Sequence, residues 1–167
     1  MTDIIDERVS IRAYTDEEVS EADIRSLLEA AMAAPSAANQ QLWEFVVCRD
    51  ADLRATLSEV SPYAKPAAKA PLVLALLMRR DVRFPPMVVQ DVSAACENIL
   101  LRATSLGLGA VWLGIYPAEE RVEAVARALG IEPGVLTPFA LVCVGHPAKR
   151  LAPTGPSRFD EARVRWR

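Results

Sequence analysis

The chain has 167 residues, 51% hydrophobic and 25% charged, an ordinary globular composition that argues for one domain and against general disorder. A formal net charge of -3, a pI near 5.3 and the lack of a basic stripe make nucleic acid a poor choice of partner. The opening MTDIIDE lacks the basic flank and apolar core of a secretory signal, and the longest apolar run, 71–78, is far shorter than the roughly 20 residues a spanning helix needs, so a cytoplasmic protein with no membrane partner is expected.

In chain order, residues 3–7 suit a short helix leading into an extended stretch at 9–14. Ser20-Glu-Ala-Asp23 matches a capping box, and Ile24, Leu27, Leu28 and Ala31 then recur with the helical period until Pro35 stops the helix. Residues 43–48 read as a strand and 52–60 as a second helix. The run 71–78, PLVLALLM, is apolar throughout, as a strand buried on both faces should be. Residues 87–106 form a long helix with Val88, Val92, Ala95, Ile99 and Ala103 along its core side. Gly107-Leu-Gly109 turns the chain into a strand at 110–116, Pro117 opens another helix that Gly130 ends, and 139–145 is the last central strand. The polar tail beyond Pro147 still carries Phe159, Val164 and Trp166, which need a surface to pack on.

Counting rules out some chemistry. Cys48, Cys96 and Cys143 are widely spaced in apolar contexts and His146 is the sole histidine, so no zinc cluster is expected and buried inert thiols are. No GxSxG elbow accompanies His146. GLGAVWLG at 107–114 resembles a dinucleotide fingerprint, but here a helix precedes the glycines and a strand follows, so no helix N-terminus faces the loop.

Two stretches remain. In Arg8-x-Ser10-x-Arg12 an extended backbone puts all three side chains on one face, where guanidinium forks flanking a hydroxyl suit a phosphate monoester; a solvated strand edge is the plainer alternative. Such charge-assisted hydrogen bonds give about 1.5–3 kcal/mol each, against about 0.3–1 kcal/mol from a helix dipole. The second stretch, PSAANQQLWEFVV at 35–47, places a proline, amides and a tryptophan between helix and strand.

RVSIRAY, APSAANQQLWEFVV, GLGAVWLG, LTPFALVCVGHP and PSRFD, in that order along nearly the whole chain, resemble the nitroreductase family of FMN-dependent NAD(P)H oxidoreductases. The resemblance implies one α+β domain over 1–167 with a central, mostly antiparallel sheet flanked by helices. It also implies a homodimer with FMN at the interface, each tail (147–167) extending over the partner subunit. By the same resemblance, Arg8, Ser10 and Arg12 hold the FMN phosphate and ribityl chain, with Arg158 of PSRFD as a second phosphate contact. Pro35, Ser36 and Asn39, continued by Gln41, lie along the flavin from across the interface, while Trp43 belongs to the core. Gly114, beside Leu113, brings a backbone N–H to flavin N5, the atom that carries the hydride, so no catalytic side chain and no metal is expected. NADH or NADPH is the implied donor, and a nitroaromatic, quinone or similar flat molecule the acceptor, in a ping-pong cycle.

Some positions depart from the family pattern. Leu42 replaces a proline, Val9 a basic residue and Pro156 a lysine; Lys65 is within plausible reach of the flavin pyrimidine edge, and the connection 79–86 is short. A non-catalytic FMN store or sensor, a specialised flavin-dependent dehydrogenase or dehalogenase, and a plain dimeric module stay open at this point.

Overall fold

The apolar run in the middle of the chain becomes the second strand of a sheet covered on both faces. The computed structural model describes residues 3–132, 134–149 and 159–167. Its sheet comprises β1 (Trp43–Cys48), β2 (Leu72–Arg79), β3 (Gly109–Gly114) and β4 (Leu136–Gly145), in the order β1-β2-β4-β3 with every pairing antiparallel. Strand side chains alternate between faces. Leu72, Leu74, Leu76 and Met78 of β2 accordingly join one buried cluster, and Val73 and Ala75 join another.

The first cluster is roofed by α2 (Glu21–Met32) and α5 (Val88–Ser105), and the second by α3 (Ala51–Ser58), α4 (Pro66–Lys69) and α6 (Glu119–Ala128). A four-residue α1 (Ile4–Glu7) lies against α5. The result is an α+β molecule of three layers, as expected from the sequence. Among the described residues no helix is long and apolar enough to cross a membrane.

Local chemistry sets the element ends. Ser20 Oγ accepts the Asp23 N–H at 3.1 Å and donates to the Asp23 carboxylate at 2.7 Å, and Asp50 caps α3 by accepting the Leu53 N–H at 2.8 Å. α5 ends in a Schellman motif: Gly107, at φ 73°, lets its N–H reach the Thr104 carbonyl, and the Leu108 N–H reaches that of Ala103. A helix therefore leads into these glycines and a strand leaves them, the reverse of a dinucleotide fingerprint.

The three cysteines are buried, Cys96 in the α2–α5 layer and Cys48 and Cys143 in the other. Burial pushes Cys48 up to about 11 and Cys143 up to about 12, and raises Cys96 well above its ordinary value. The described end of the tail, 159–167, leaves Phe159 and Trp166 strongly exposed, Trp166 at 84%.

Candidate active site

The first candidate stretch is fastened along the outer edge of β3. Asp3 caps α1, and Arg8 at the other end of that helix turns the backbone to an extended conformation. Ser10 then pairs with Ala110 in a parallel bridge, and the Ile11 N–H donates to the Ala110 carbonyl at 2.9 Å. Ile11 is 6% exposed and lies directly over Gly109, where an added Cβ would sit 2.6 Å from Ile11 Cγ2. Tyr14 closes the stretch with an antiparallel bridge to Pro147, and its hydroxyl donates to the Ile11 carbonyl at 2.6 Å, with the Cys143 carbonyl at 3.3 Å. Desolvation keeps that phenol protonated far beyond its ordinary range.

Anchoring Ile11 inward leaves Arg12 outward. Arg12 is exposed, and among the described residues no carboxylate lies within 4 Å of it. Arg8 differs: its Nε lies 3.4 Å from Glu97 Oε1, with only 26% of the side chain exposed. Of the two guanidinium groups, Arg12 is the one without a carboxylate partner among the described residues.

The second stretch holds unusual backbone. Ala38, Asn39 and Gln41 have φ of 47°, 54° and 43°, the only positive values at non-glycine residues among those described. Left-handed backbone costs roughly 1–2 kcal/mol at an ordinary L-residue, less at asparagine. Several hydrogen bonds hold the loop there. Ser36 Oγ accepts the Gln41 N–H at 3.0 Å. Asp91, 5% exposed in the first turn of α5, accepts the Ala37 N–H at 3.0 Å on Oδ1 and Gln40 Nε2 at 2.7 Å on Oδ2. The other end of the Gln40 amide accepts the Phe84 N–H at 3.0 Å. Pro35, Asn39 and Gln41 are left exposed at the surface, and Trp43, 7% exposed, is core. Leu42 is fully buried.

Sequence reasoning missed Asp91 and Gln40. A signal existed for the first, since Asp91 falls on the same helical stripe as Val88, Val92, Ala95 and Ile99, where a charge is out of place unless it is hydrogen-bonded.

Gly114 ends β3 in the open: an added Cβ would have no heavy atom within 4 Å. Its carbonyl accepts Arg121 Nη1 at 3.2 Å. Leu113 turns its side chain into the layer under α3, α4 and α6, so only its backbone is available to a ligand. Lys65 Nζ lies 2.7 Å from both Glu59 oxygens, a hydrogen-bonded pair that lowers the Glu59 pKa. Arg158 and Pro156 lie outside the described residues.

The register shows how far apart these pieces are. Ser10 sits at the level of Ala110 and Val144 on the β3 edge, whereas the 36–41 loop enters β1 at the level of Met78 and Thr137 on the opposite edge. Seven residues of β4 separate those levels, about 23 Å at 3.3 Å per residue. Within one chain the arginine stretch and the strained loop therefore occupy diagonally opposite corners. Two clefts of about 490 and 710 Å³, lined respectively by residues such as Arg54 and Lys69 and by Leu28, Met32 and Val47, include none of the candidate residues.

Comparison with known proteins places the chain as a whole. The model of the nitroreductase family matches residues 5–65 and 62–146, most of the chain. The chain belongs to the nitroreductase family. A relative from Archaeoglobus fulgidus, provisionally named as an NADH dehydrogenase/NAD(P)H nitroreductase, is 44% identical over 142 residues, covering 84% of this chain and 81% of its own. A solved structure from Clostridium acetobutylicum, provisionally an NADH oxidase, superposes with a TM-score of 0.92 at 43% identity and covers 98% of both chains. One from Desulfovibrio desulfuricans, provisionally a nitroreductase and solved in complex with FMN, has a TM-score of 0.82 at 34% identity, covering 95% of this chain and 91% of its own. In this nitroreductase-family chain the connection from β2 to α5 contains one 3-10 turn, Pro85–Met87, and no inserted helix.

Proposed function

We propose that this chain is an FMN-dependent NAD(P)H oxidoreductase that works as a homodimer, each FMN gripped by the arginine stretch of one subunit and the 36–41 loop of the other. The observation that carries this reading is the diagonal separation of two sets of outward-facing polar groups, which a twofold pairing of chains would bring together. The exposed Val164 and Trp166 of the tail, and the apolar groove along Leu28, Met32 and Val47, offer surfaces for that pairing.

The donor set suits the cofactor. A cation with no carboxylate within reach among the described residues, two positions from a hydroxyl, matches a phosphate monoester. The exposed amides of Asn39 and Gln41 and the open space over Gly114 match the edge of a flat heteroaromatic ring. When bound, FMN supplies two-electron chemistry between a nicotinamide donor and a flat acceptor such as a nitroaromatic or quinone. The protein's part is binding and orientation. Arg12, Ser10 and Arg158 hold the phosphate, Gly114 admits the ring edge against backbone, and the partner's loop fixes the ring plane. One exposed ring face would serve donor and acceptor in turn, which gives ping-pong kinetics.

Purified protein is expected to be yellow, to bleach with NADH or NADPH and to recolour with a nitroaromatic, all read in the visible spectrum. Colourless protein that stays colourless after FMN soaking would refute the assignment. Retained flavin that neither nicotinamide reduces would instead indicate a storage or sensor protein.

A further inference from the structure

We infer that Asp91 is the positioning residue of the flavin-facing loop, acting through Gln40 and the Ala37 amide to fix the left-handed backbone that presents Asn39 and Gln41. The inference rests on the FMN reading above. Asp91 comes from α5, more than fifty residues along the chain from the loop, and is buried without a carboxylate–cation pair among the described residues. Its place in the first turn of an 18-residue helix favours a negative charge there.

The network has a direction. Both Asp91 oxygens accept, which obliges Gln40 to present its NH2 to Asp91 and its carbonyl oxygen to the Phe84 N–H. The same side chain therefore fastens the loop to α5 and to the connection that follows β2. Ser36 ties only the loop's own ends together, through the Gln41 N–H. The three left-handed residues are thus held from outside by the buried Asp91 carboxylate, on the Ala37 N–H and on Gln40, and by the Phe84 backbone, on Gln40 alone.

Direction can be tested by reversing it. In Asp91→Asn the new Nδ2 faces Gln40 Nε2, donor against donor. In Gln40→Glu two carboxylates face each other. In the double variant the amide at position 91 keeps its oxygen for the Ala37 N–H and donates to the carboxylate at position 40. That carboxylate still accepts from the Phe84 N–H, so the link between positions 91 and 40 is restored with its polarity inverted, and only the long contact from Gln40 Nε2 to the Phe84 carbonyl, 3.4 Å, is given up. FMN affinity of each apoprotein is read by quenching of flavin fluorescence, beside the apoprotein Tm.

Each single variant is expected to bind FMN at least about tenfold more weakly, and the double variant to recover to within about threefold of wild type. If Asp91→Asn does not fold, Gln40→Ala, at a partly buried position, carries the same expectation of weakened binding. Single variants with lowered Tm and unchanged FMN affinity would show Asp91 to be structural only and overturn the inference. So would a folded double variant that fails to recover. Wild-type protein that binds no FMN would overturn the FMN reading itself, and this inference with it.

Discussion

Alanine at both Arg12 and Arg158 is expected to weaken FMN binding by about 3–6 kcal/mol, a hundredfold at the least, with the fold unchanged. Each guanidinium is assigned charge-assisted hydrogen bonds to one phosphate, and each such bond contributes about 1.5–3 kcal/mol. Arg12 is the cleaner half of the pair to remove. It is exposed and has no carboxylate within 4 Å among the described residues, so its loss should move stability by no more than about 0.5 kcal/mol. Arg8→Ala would be a poorer probe, because it also strips Glu97 of its partner. Equilibrium titration with FMN, alongside a urea midpoint, checks the expectation. A folded double variant with wild-type affinity removes the phosphate from this corner of the molecule.

The second large effect belongs to Gly109→Ala. The new methyl would lie 2.6, 2.7 and 2.8 Å from three carbons of Ile11, a β-branched side chain with little freedom to turn aside. Overpacking of this kind costs about 1–3 kcal/mol. Here it also lifts the stretch carrying Arg8, Ser10 and Arg12 off the edge of β3, so Tm and FMN affinity should fall together. Gly114→Ala supplies the contrast. Its methyl enters open space, so Tm should hold while a ring edge resting on that backbone is displaced and affinity drops. Equal behaviour of the two variants in both measurements would contradict the placement of the ring edge at Gly114.

Much of this architecture was legible in the order of residues, for reasons that are local. β1 falls at 43–48 as expected, and the stripe from Val88 to Ala103 marks the core face of α5. Reading went astray where long-range pairing overrode local preference. β4 begins at Leu136, three residues earlier than expected, because the sheet accommodates Pro138 at an irregularity where Leu77 pairs with Pro138 and Leu76 with Ala140. β3 stops at Gly114 and not at Tyr116, since the Ile115 and Tyr116 N–H groups both turn to the Phe139 carbonyl. α4 is one turn long and too short to leave a period in the sequence.

The candidate site divides in the same way. Residues such as Arg12, Asn39 and Gln41 could be named from sequence, because they fall in stretches that resemble the family's motifs. What holds them could not be. The Arg8–Glu97 pair, the Asp91–Gln40 link and the Ile11–Gly109 contact each join segments from distant parts of the chain. Nor does sequence spacing show that the two stretches stand at opposite corners of one sheet.

The sealed thiols give the protein an internal record of its own opening. With a pKa near 11, Cys48 carries about one thiolate per ten thousand molecules at neutral pH, and burial blocks a reagent from all three sulfurs. Iodoacetamide should leave the native protein unmodified and mark each cysteine only when its layer comes apart. Mass spectrometry of timed samples would then distinguish loss of the α2–α5 roof, reported by Cys96, from loss of the opposite roof, reported by Cys48 and Cys143. Prompt alkylation of Cys96 in folded protein would contradict its burial.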